Sequence, residues 1–477
     1  MLTLIALCST ASHAKILSSP HPMTNLSLNE AIFLSIRDNP NVQITQLNEV
    51  SQKFNLFVQE WQFYPHYSLQ ASATQTRTGT PGQPISNSHN YNIQPGISIA
   101  TPIGTAIAIN STNTKTTSYN PGLTAQITQP LMRGFGTAVV EAALHNAMDS
   151  EVIARLNIKD TLRTTVTEVI NAYLDIVNAQ QTILIDAKAV ERAEESVRQT
   201  KLFIQAGHKA GNELVTVEAN VASAKSNLEN DKNNLAQRQY ALLAAIGIDP
   251  NMPVRFSDLN IKDLMSKYRL PTLEKTKELI LENNIQYQIA QIMLNGSTMR
   301  NLLIAEDNTR WQLNLTANAA TGNGGGGGQN AGIDSLFNGA NQSQSIGLTL
   351  QIPIDDQVAK QAVLNAKIAI KQARINLKKQ KWDIETNAIN GWNNVVSAER
   401  ALRFAENAEK LQAKTYHISY QKYTHGLIDS LELQTAQVQL IQTQQNLLSN
   451  QIAYLKALVN LDLLIGHTLQ TWHIGVR

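Results

Sequence analysis

Two periodicities take turns along the chain. Heptad-spaced positions recur at steps of three, four or seven residues at Leu214, Val217, Val221, Ala224, Leu228, Leu235 and Leu242, and again at Leu433, Ala436, Leu440, Thr443, Leu447, Tyr454 and Leu461. Such spacing predicts long helices packed through a coiled-coil seam or bundle core, and implies packing rather than a cofactor site. Elsewhere the period is two: Tyr67, Leu69, Ala71 and Ala73; Ile93, Ile97 and Ile99; Ile103, Ile107 and Ile109; Trp311, Leu313, Leu315 and Ala317; Ile346, Leu348, Leu350 and Ile352. Alternation predicts strands with one apolar face and one face of small polar residues, as in the wall of a water-filled barrel in a bilayer. A half-exposed soluble sheet is the alternative for any single segment.

Proline and glycine divide these regions. All 14 prolines lie at or before Pro353, and none lies between Pro130 and Pro250. Residues 137–206 also lack glycine. Seventy such residues extend about 100 Å as a helix, a rod rather than a globule's element. Gly207 and Gly426 interrupt the rods and suit sharp helix reversals, where a positive φ costs glycine little. Thr78 to Asn90 and the run Gly324–Gly328 read as polar loops between strands; with no Lys-Ser or Lys-Thr after it, the glycine run is no phosphate loop.

The chain also repeats itself. Residues 170–247 return at 389–466 with a constant offset: Ile170-Asn171 as Ile389-Asn390, Tyr173 as Trp392, Gly207 as Gly426, Glu213-Leu214 as Glu432-Leu433, and Ile246-Gly247 as Ile465-Gly466. Upstream, Leu28 to Gln46 resembles Leu273 to Gln291. The period is far too long for a solenoid. It indicates a duplicated unit, with a first copy over 15–255 and a second over 256–477.

Composition narrows the class. A net charge of +2 gives no basic field for nucleic acid, and 16% charged residues is low for a soluble domain. The only cysteine, Cys8, lies in MLTLIALCSTASHA, which reads as a signal peptide over residues 1–14. No Lys or Arg precedes its apolar run, and Leu7 departs from a lipoprotein signal; a buried N-terminal strand is the alternative. No later stretch approaches the roughly 18–20 apolar residues of a membrane helix. A membrane crossing therefore falls to strands.

Each copy thus runs helix, strand hairpin, very long helix, glycine reversal and helix. This order, with Gln129-Pro130-Leu131 and Gln351-Ile352-Pro353-Ile354 where strand passes into helix, and Lys422-Tyr423-Thr424-His425-Gly426 followed by Leu431-Glu432-Leu433, resembles the TolC-like outer membrane efflux protein family. The resemblance implies a mainly α fold with transmembrane β: a homotrimer whose chains share an α-helical barrel through the periplasm, continued into a β-barrel in outer-membrane lipid. Barrel segments are expected at about 64–130 and 310–354, and periplasmic tips at about 203–214 and 422–433. One departure stands out. The first copy has an added alternating stretch, Tyr91 to Thr114 with a Pro102-Ile103-Gly104 turn signal, so a wall that included it would exceed the family's usual twelve strands.

The function so implied is a passive exit duct of a tripartite efflux or type I secretion system, loaded by an inner-membrane transporter and a periplasmic adaptor docking at Gly207 and Gly426. The family's gate carries carboxylates six and nine residues after the second turn glycine; here those positions hold Glu432 and Thr435. Glu213 is the equivalent of Glu432 in the first copy, and Asp429 lies on the second turn. Clustered carboxylates in a trimer attract cations; the alternative is that these are solvated acids favoured at helix starts. Tyr423 stands where the family has a tyrosine whose hydrogen bond helps hold the tunnel closed, with ordinary packing as its alternative. Where a relative has arginine, this chain has Ile428, so closure falls to other links, Lys209 or Lys422. His208 and His425 flank the turns without a convergent pattern. No catalytic motif, metal-ligand spacing or cofactor signature emerges, and the chain is expected not to be an enzyme. A periplasmic coiled-coil adaptor and a structural coiled-coil protein are the rival readings; neither calls for strands before both rods.

Overall fold

The computed structural model describes residues 24–79, 81–82, 84–116, 119–257, 259–322, 336 and 342–475. The segment read as a signal peptide, with Cys8, and the Gly324–Gly328 run lie outside them. In chain order the elements are β1 (Thr24–Leu26), α1 (Leu28–Asp38), α2 (Pro40–Trp61), β2 (His66–Thr78), β3 (Ser86–Ala100), β4 (Ala106–Lys115), β5 (Tyr119–Pro130), α3 (Thr137–Val140), α4 (Ala142–Gln205) and α5 (Asn212–Ile246). There follow β6 (Val254–Phe256), α6 (Ile261–Lys267), α7 (Leu273–Asn283), α8 (Ile285–Met293), a kink at Gly296, α9 (Met299–Asn308), β7 (Gln312–Gly322), β8 (Gln342–Gln351), α10 (Gln357–Thr424), α11 (Ser430–Ile465) and α12 (Thr468–Thr471). The two rods α4 and α10 contain 64 and 68 residues, about 96 and 102 Å at ~1.5 Å per residue.

Contacts divide the chain into two units, the first holding residues up to Asn39, Thr165–Arg269 and Val395–Val459. Its helices bury the expected seam: Val217, Leu242, Leu433 and Leu440 are buried, with Leu228 and Leu447 half-buried. β1 pairs in parallel with β6, and the fully buried Tyr173 places its hydroxyl 3.1 Å from the Leu26 carbonyl and 2.7 Å from that of Ser257. A capping box between Ser27 and Glu30 starts α1 by satisfying two orphan N–H groups. Asn39, just past its end, donates to the Ala245 carbonyl at 2.7 Å.

The second unit holds Pro40–Thr164, Leu270–Asn394 and the chain from Asn460. Trp392 donates to the Pro271 carbonyl at 3.1 Å, the same use of a mid-helix aromatic that Tyr173 makes at the matching position of the first copy. This unit's sheet is wholly antiparallel in the order β2-β3-β4-β5-β7-β8. Register sorts its side chains cleanly. Tyr67, Leu69 and Ala71 stand opposite Ile97, Pro95 and Ile93; Ile97 and Ile99 stand opposite Ile109 and Ile107; Leu313, Leu315 and Ala317 stand opposite Leu350, Leu348 and Ile346. Much of this apolar face is exposed in the free chain, Ile346 being 81% and Tyr67 77% exposed. Ser68, Gln70, Asn92, Gln94, Asn110, Thr112, Thr124, Gln126, Asn314, Thr316, Ser345 and Thr349 line the other face.

Two expectations are corrected here. The polar loop expected from Thr78 to Asn90 is shorter than that, since β2 reaches Thr78 and β3 begins at Ser86. Its residues lack the apolar alternation that marks a strand in sequence, so β2 and β3 run beyond the point where that alternation ends. Ile103 lies in the tight turn between β3 and β4, not in a strand. No helix among the described residues is long and apolar enough to cross a membrane.

Candidate gate at the helix turns

Both rods end in one backbone device. Gly207 and Gly426 have φ of 74° and 70°. The N–H groups of His208 and Leu427 return to the Phe203 and Lys422 carbonyls, while the glycine N–H groups return to Ile204 and Tyr423. This 6→1 and 5→2 pair is a Schellman cap, which needs a left-handed residue at the glycine. Gly247 and Gly466 end α5 and α11 the same way, with Ile248 reaching Leu243 and His467 reaching Asp462. A Cβ at Gly207 or Gly426 would meet nothing within 4 Å, so φ alone demands glycine there.

The side chains of the first unit's turns form one linked cluster. Tyr423, fully buried, lies with its hydroxyl 2.7 Å from the Thr200 hydroxyl. Thr200 spends its own hydrogen on the Ser196 carbonyl, also at 2.7 Å, so the phenol donates. Phe203 meets the Tyr423 ring edge to face at 5.7 Å. Above these rings sits the Lys209 ammonium, 4.2 Å from the Tyr423 centroid and 5.8 Å from that of Phe203. Its side chain is only 8% exposed, and it donates to Glu213 Oε2 at 2.9 Å. Ser430 Oγ, at the first residue of α11, donates to that same oxygen at 2.9 Å. Thus Glu213 at the start of α5 bridges to α11, and Tyr423 at the end of α10 bridges to α4.

Burial opposes the Glu213 charge, but hydrogen bonds from Lys209 and Ser430 outweigh it and hold the carboxyl below its ordinary pKa. A desolvated cation over a ring contributes up to about 2 kcal/mol. Leaving one buried hydrogen-bonding partner unmatched costs about 1–3 kcal/mol. Together these links hold α4, α5, α10 and α11 at their turns.

The other expected site residues fall differently. Glu432 and Asp429 are exposed, and the Asp429 carboxylate caps α11 by accepting the Glu432 N–H at 2.7 Å. Asp429 thus serves a helix start, and Glu432 leaves its carboxylate in water. Lys422 is exposed, as are His208 and His425, whose Nδ1 lies 2.7 Å from the Gln421 carbonyl. Lys209, rather than the exposed Lys422, joins the cluster around Tyr423.

Thr200, Phe203 and Ser430 were not legible as site residues, being ordinary members of a helical stripe and a helix start. Also unexpected is Asp186, buried on α4 beside a polar cavity of about 780 Å³ lined by Asp231, Asn227 and Gln445 among others. Its carboxylate accepts from Gln445 at 3.1 Å. Burial first, and then the facing Asp231, push its pKa up to about 7. No group of three or more His, Cys, Asp or Glu poised for a metal occurs among the described residues.

Searching curated protein sequences returns no match. Solved structures match nearly the whole chain. CusC, crystallised in a study of folding and transmembrane channel formation, aligns with TM-score 0.70 at 16% identity over 94% of this chain and 97% of its own. The open-state MtrE outer membrane channel of Neisseria gonorrhoeae aligns with TM-score 0.68 at 17% identity, over 92% and 88%. The CmeC outer membrane channel of Campylobacter jejuni aligns with TM-score 0.66 at 15% identity, over 92% and 85%. At such identities these matches establish the fold. The family model described as "Outer membrane efflux protein" matches residues 35–248 and 307–467. The chain therefore belongs to the outer membrane efflux protein family and is a protein of the outer membrane.

Proposed function

We propose that three copies of this chain form a passive exit duct, crossing the outer membrane with their strands and the periplasm with their helices, and closed at rest by the cluster around Tyr423 and Lys209. The observation that carries this reading is the sheet of six strands with one exposed apolar face, one polar face and two open edges. Hydrocarbon tolerates no unpaired strand edge, and neighbouring copies supply the missing partners. Tyr67 and Trp311 toward the helix-bearing end of the sheet, and Tyr91 and Tyr119 toward the other, suit the aromatic girdles of such a wall.

The turns at Gly207 and Gly426 are the periplasmic tips in this reading. A periplasmic adaptor docks on them and an inner-membrane transporter supplies the energy. The exposed Glu432 and Asp429 of three copies then ring the entrance and favour cations. Opening requires α10 and α11 to part from α4 and α5, which breaks the Tyr423–Thr200 and Glu213–Ser430 bonds. Efflux and type I secretion both fit such a duct. Oligomer mass and single-channel recording in planar bilayers test the proposal: a trimer with small, cation-selective currents is expected, and a protein that never inserts would defeat it.

A further inference from the structure

The added hairpin of the first copy lies within the sheet rather than beside it. β3 pairs with β2 over 13 residues on one side, and β4 pairs with β5 over 10 on the other. The turn between them is built into the start of the helical region. Thr101 exchanges backbone bonds with Thr105 and Gly104, Thr105 Oγ1 donates to the Gln129 side chain, and the Ile103 carbonyl accepts from Gly136 N–H at 3.2 Å. Gly104 has φ 93°, and a Cβ there would fall 2.5 Å from the Gly134 carbonyl, so turn and helix start fit only with glycine. Both faces continue into the hairpin next to its turn: Ile97 and Ile99 stand opposite Ile109 and Ile107 on the apolar side, with Ile93 beyond them opposite Asn113, and Asn92, Gln94, Asn110 and Thr112 lie on the polar side.

From these pairings we infer that the wall has eighteen strands, six from each of three copies, closed by β8 of each copy against β2 of the next, around an uncharged lumen. The inference rests on the trimeric duct reading. Strand direction supports the closure. β2 leaves the helix-bearing end of the sheet and β8 returns to it, so β8 beside a second copy's β2 is antiparallel, like all five internal pairs. Six strands are too few to close alone, the smallest membrane barrels having about eight. At ~4.8 Å between strands and a tilt of ~40°, eighteen strands give a backbone radius of about 18 Å, against about 12 Å for twelve. Among the described residues the polar face carries no Asp, Glu, Lys or Arg, so the barrel filters by size and leaves charge selection to the turns.

Deletion of Ser86–Lys115 tests this, because β2 and β5 remain antiparallel and adjacent when the hairpin is removed. Neutral polyethylene glycols added from the outer side of channels in planar bilayers read the barrel's width even while the turns are closed. The excluded polymer radius is expected to fall by at least a third in the deletion variant while the trimer mass is kept. An equal cutoff in both proteins would overturn the eighteen-strand wall yet leave the duct standing; a wild-type protein with no trimer and no current would instead defeat the duct itself. Should the deletion variant not assemble, cysteines introduced in the full-length protein with Cys8→Ser decide the matter. Thr112→Cys is expected to react at least tenfold faster than Ile109→Cys with a charged, water-soluble maleimide in liposomes. Equal reaction at both would place the hairpin outside the wall.

Discussion

The Gly207 turn and the Gly426 turn share a backbone and differ in what they hold. Each has a left-handed glycine, the same pair of capping bonds and a glutamate six residues on. Yet Glu213 lies between Lys209 and Ser430, while Glu432 faces water. The position matching Lys209 in the second copy holds Ile428, and the one matching Ser430 in the first holds Gly211. Duplication conserved the reversal because only glycine suits its φ. The link across the turns arose where the copies diverged. Matching sequence positions therefore do not imply matching electrostatics, and closure as proposed above rests on a difference between halves rather than on their symmetry.

Making the turns alike should have the largest effect. Lys209→Ile gives the first turn the residue of the second, removing the cation over Tyr423 and the partner of Glu213; resting conductance in bilayers is expected to rise at least fivefold, for a loss of about 1–3 kcal/mol of closure. Tyr423→Phe keeps the ring packed on Phe203 and removes only the bond to Thr200, so a two- to threefold rise is expected, reflecting about 0.5 kcal/mol. The two glutamates should separate cleanly. Glu213→Gln is expected to raise conductance with little change in selectivity, whereas Glu432→Gln should lower the cation-to-anion permeability ratio and leave closure intact; reversal potentials in a salt gradient read both.

Acidity offers a finer contrast. The Glu213 pKa is lowered in the folded protein, so its contribution is present above the ordinary carboxylate range and is lost as pH falls through the folded value. Resting conductance should therefore climb on acidification below about pH 4.5, and this climb should vanish in Glu213→Gln. Asp186 has the opposite sign. Raised to about 7, it contributes stability below its ordinary value that is lost as pH rises toward 7. Thermal unfolding of the detergent-solubilised protein should show a melting temperature that declines between about pH 4 and 7, and Asp186→Asn should flatten that decline.

Much of this fold is visible in the sequence because its periods are long and its punctuation strict. The heptad stripe from Leu214 to Leu242, the alternation from Tyr67 to Ala73 and the glycines at 207 and 426 each dictate an element through local geometry. Lys209 was legible as a closure candidate only because Ile428 left a role unfilled. Thr200, Ser430 and Asp186 were not, since their partners lie 223, 217 and 259 residues away and nothing local marks a residue that will meet them. The place of the added hairpin in the sheet was likewise invisible: alternation reveals a strand but not its neighbour.

The most direct test of the account compares resting single-channel conductance of the wild-type protein with that of a Lys209→Ile, Tyr423→Phe double variant, each confirmed as a trimer by mass. The account predicts small, steady currents from the wild type and currents at least tenfold larger from the double variant. Equal conductance in the two proteins would contradict closure by this cluster, and absence of current from both would contradict the duct.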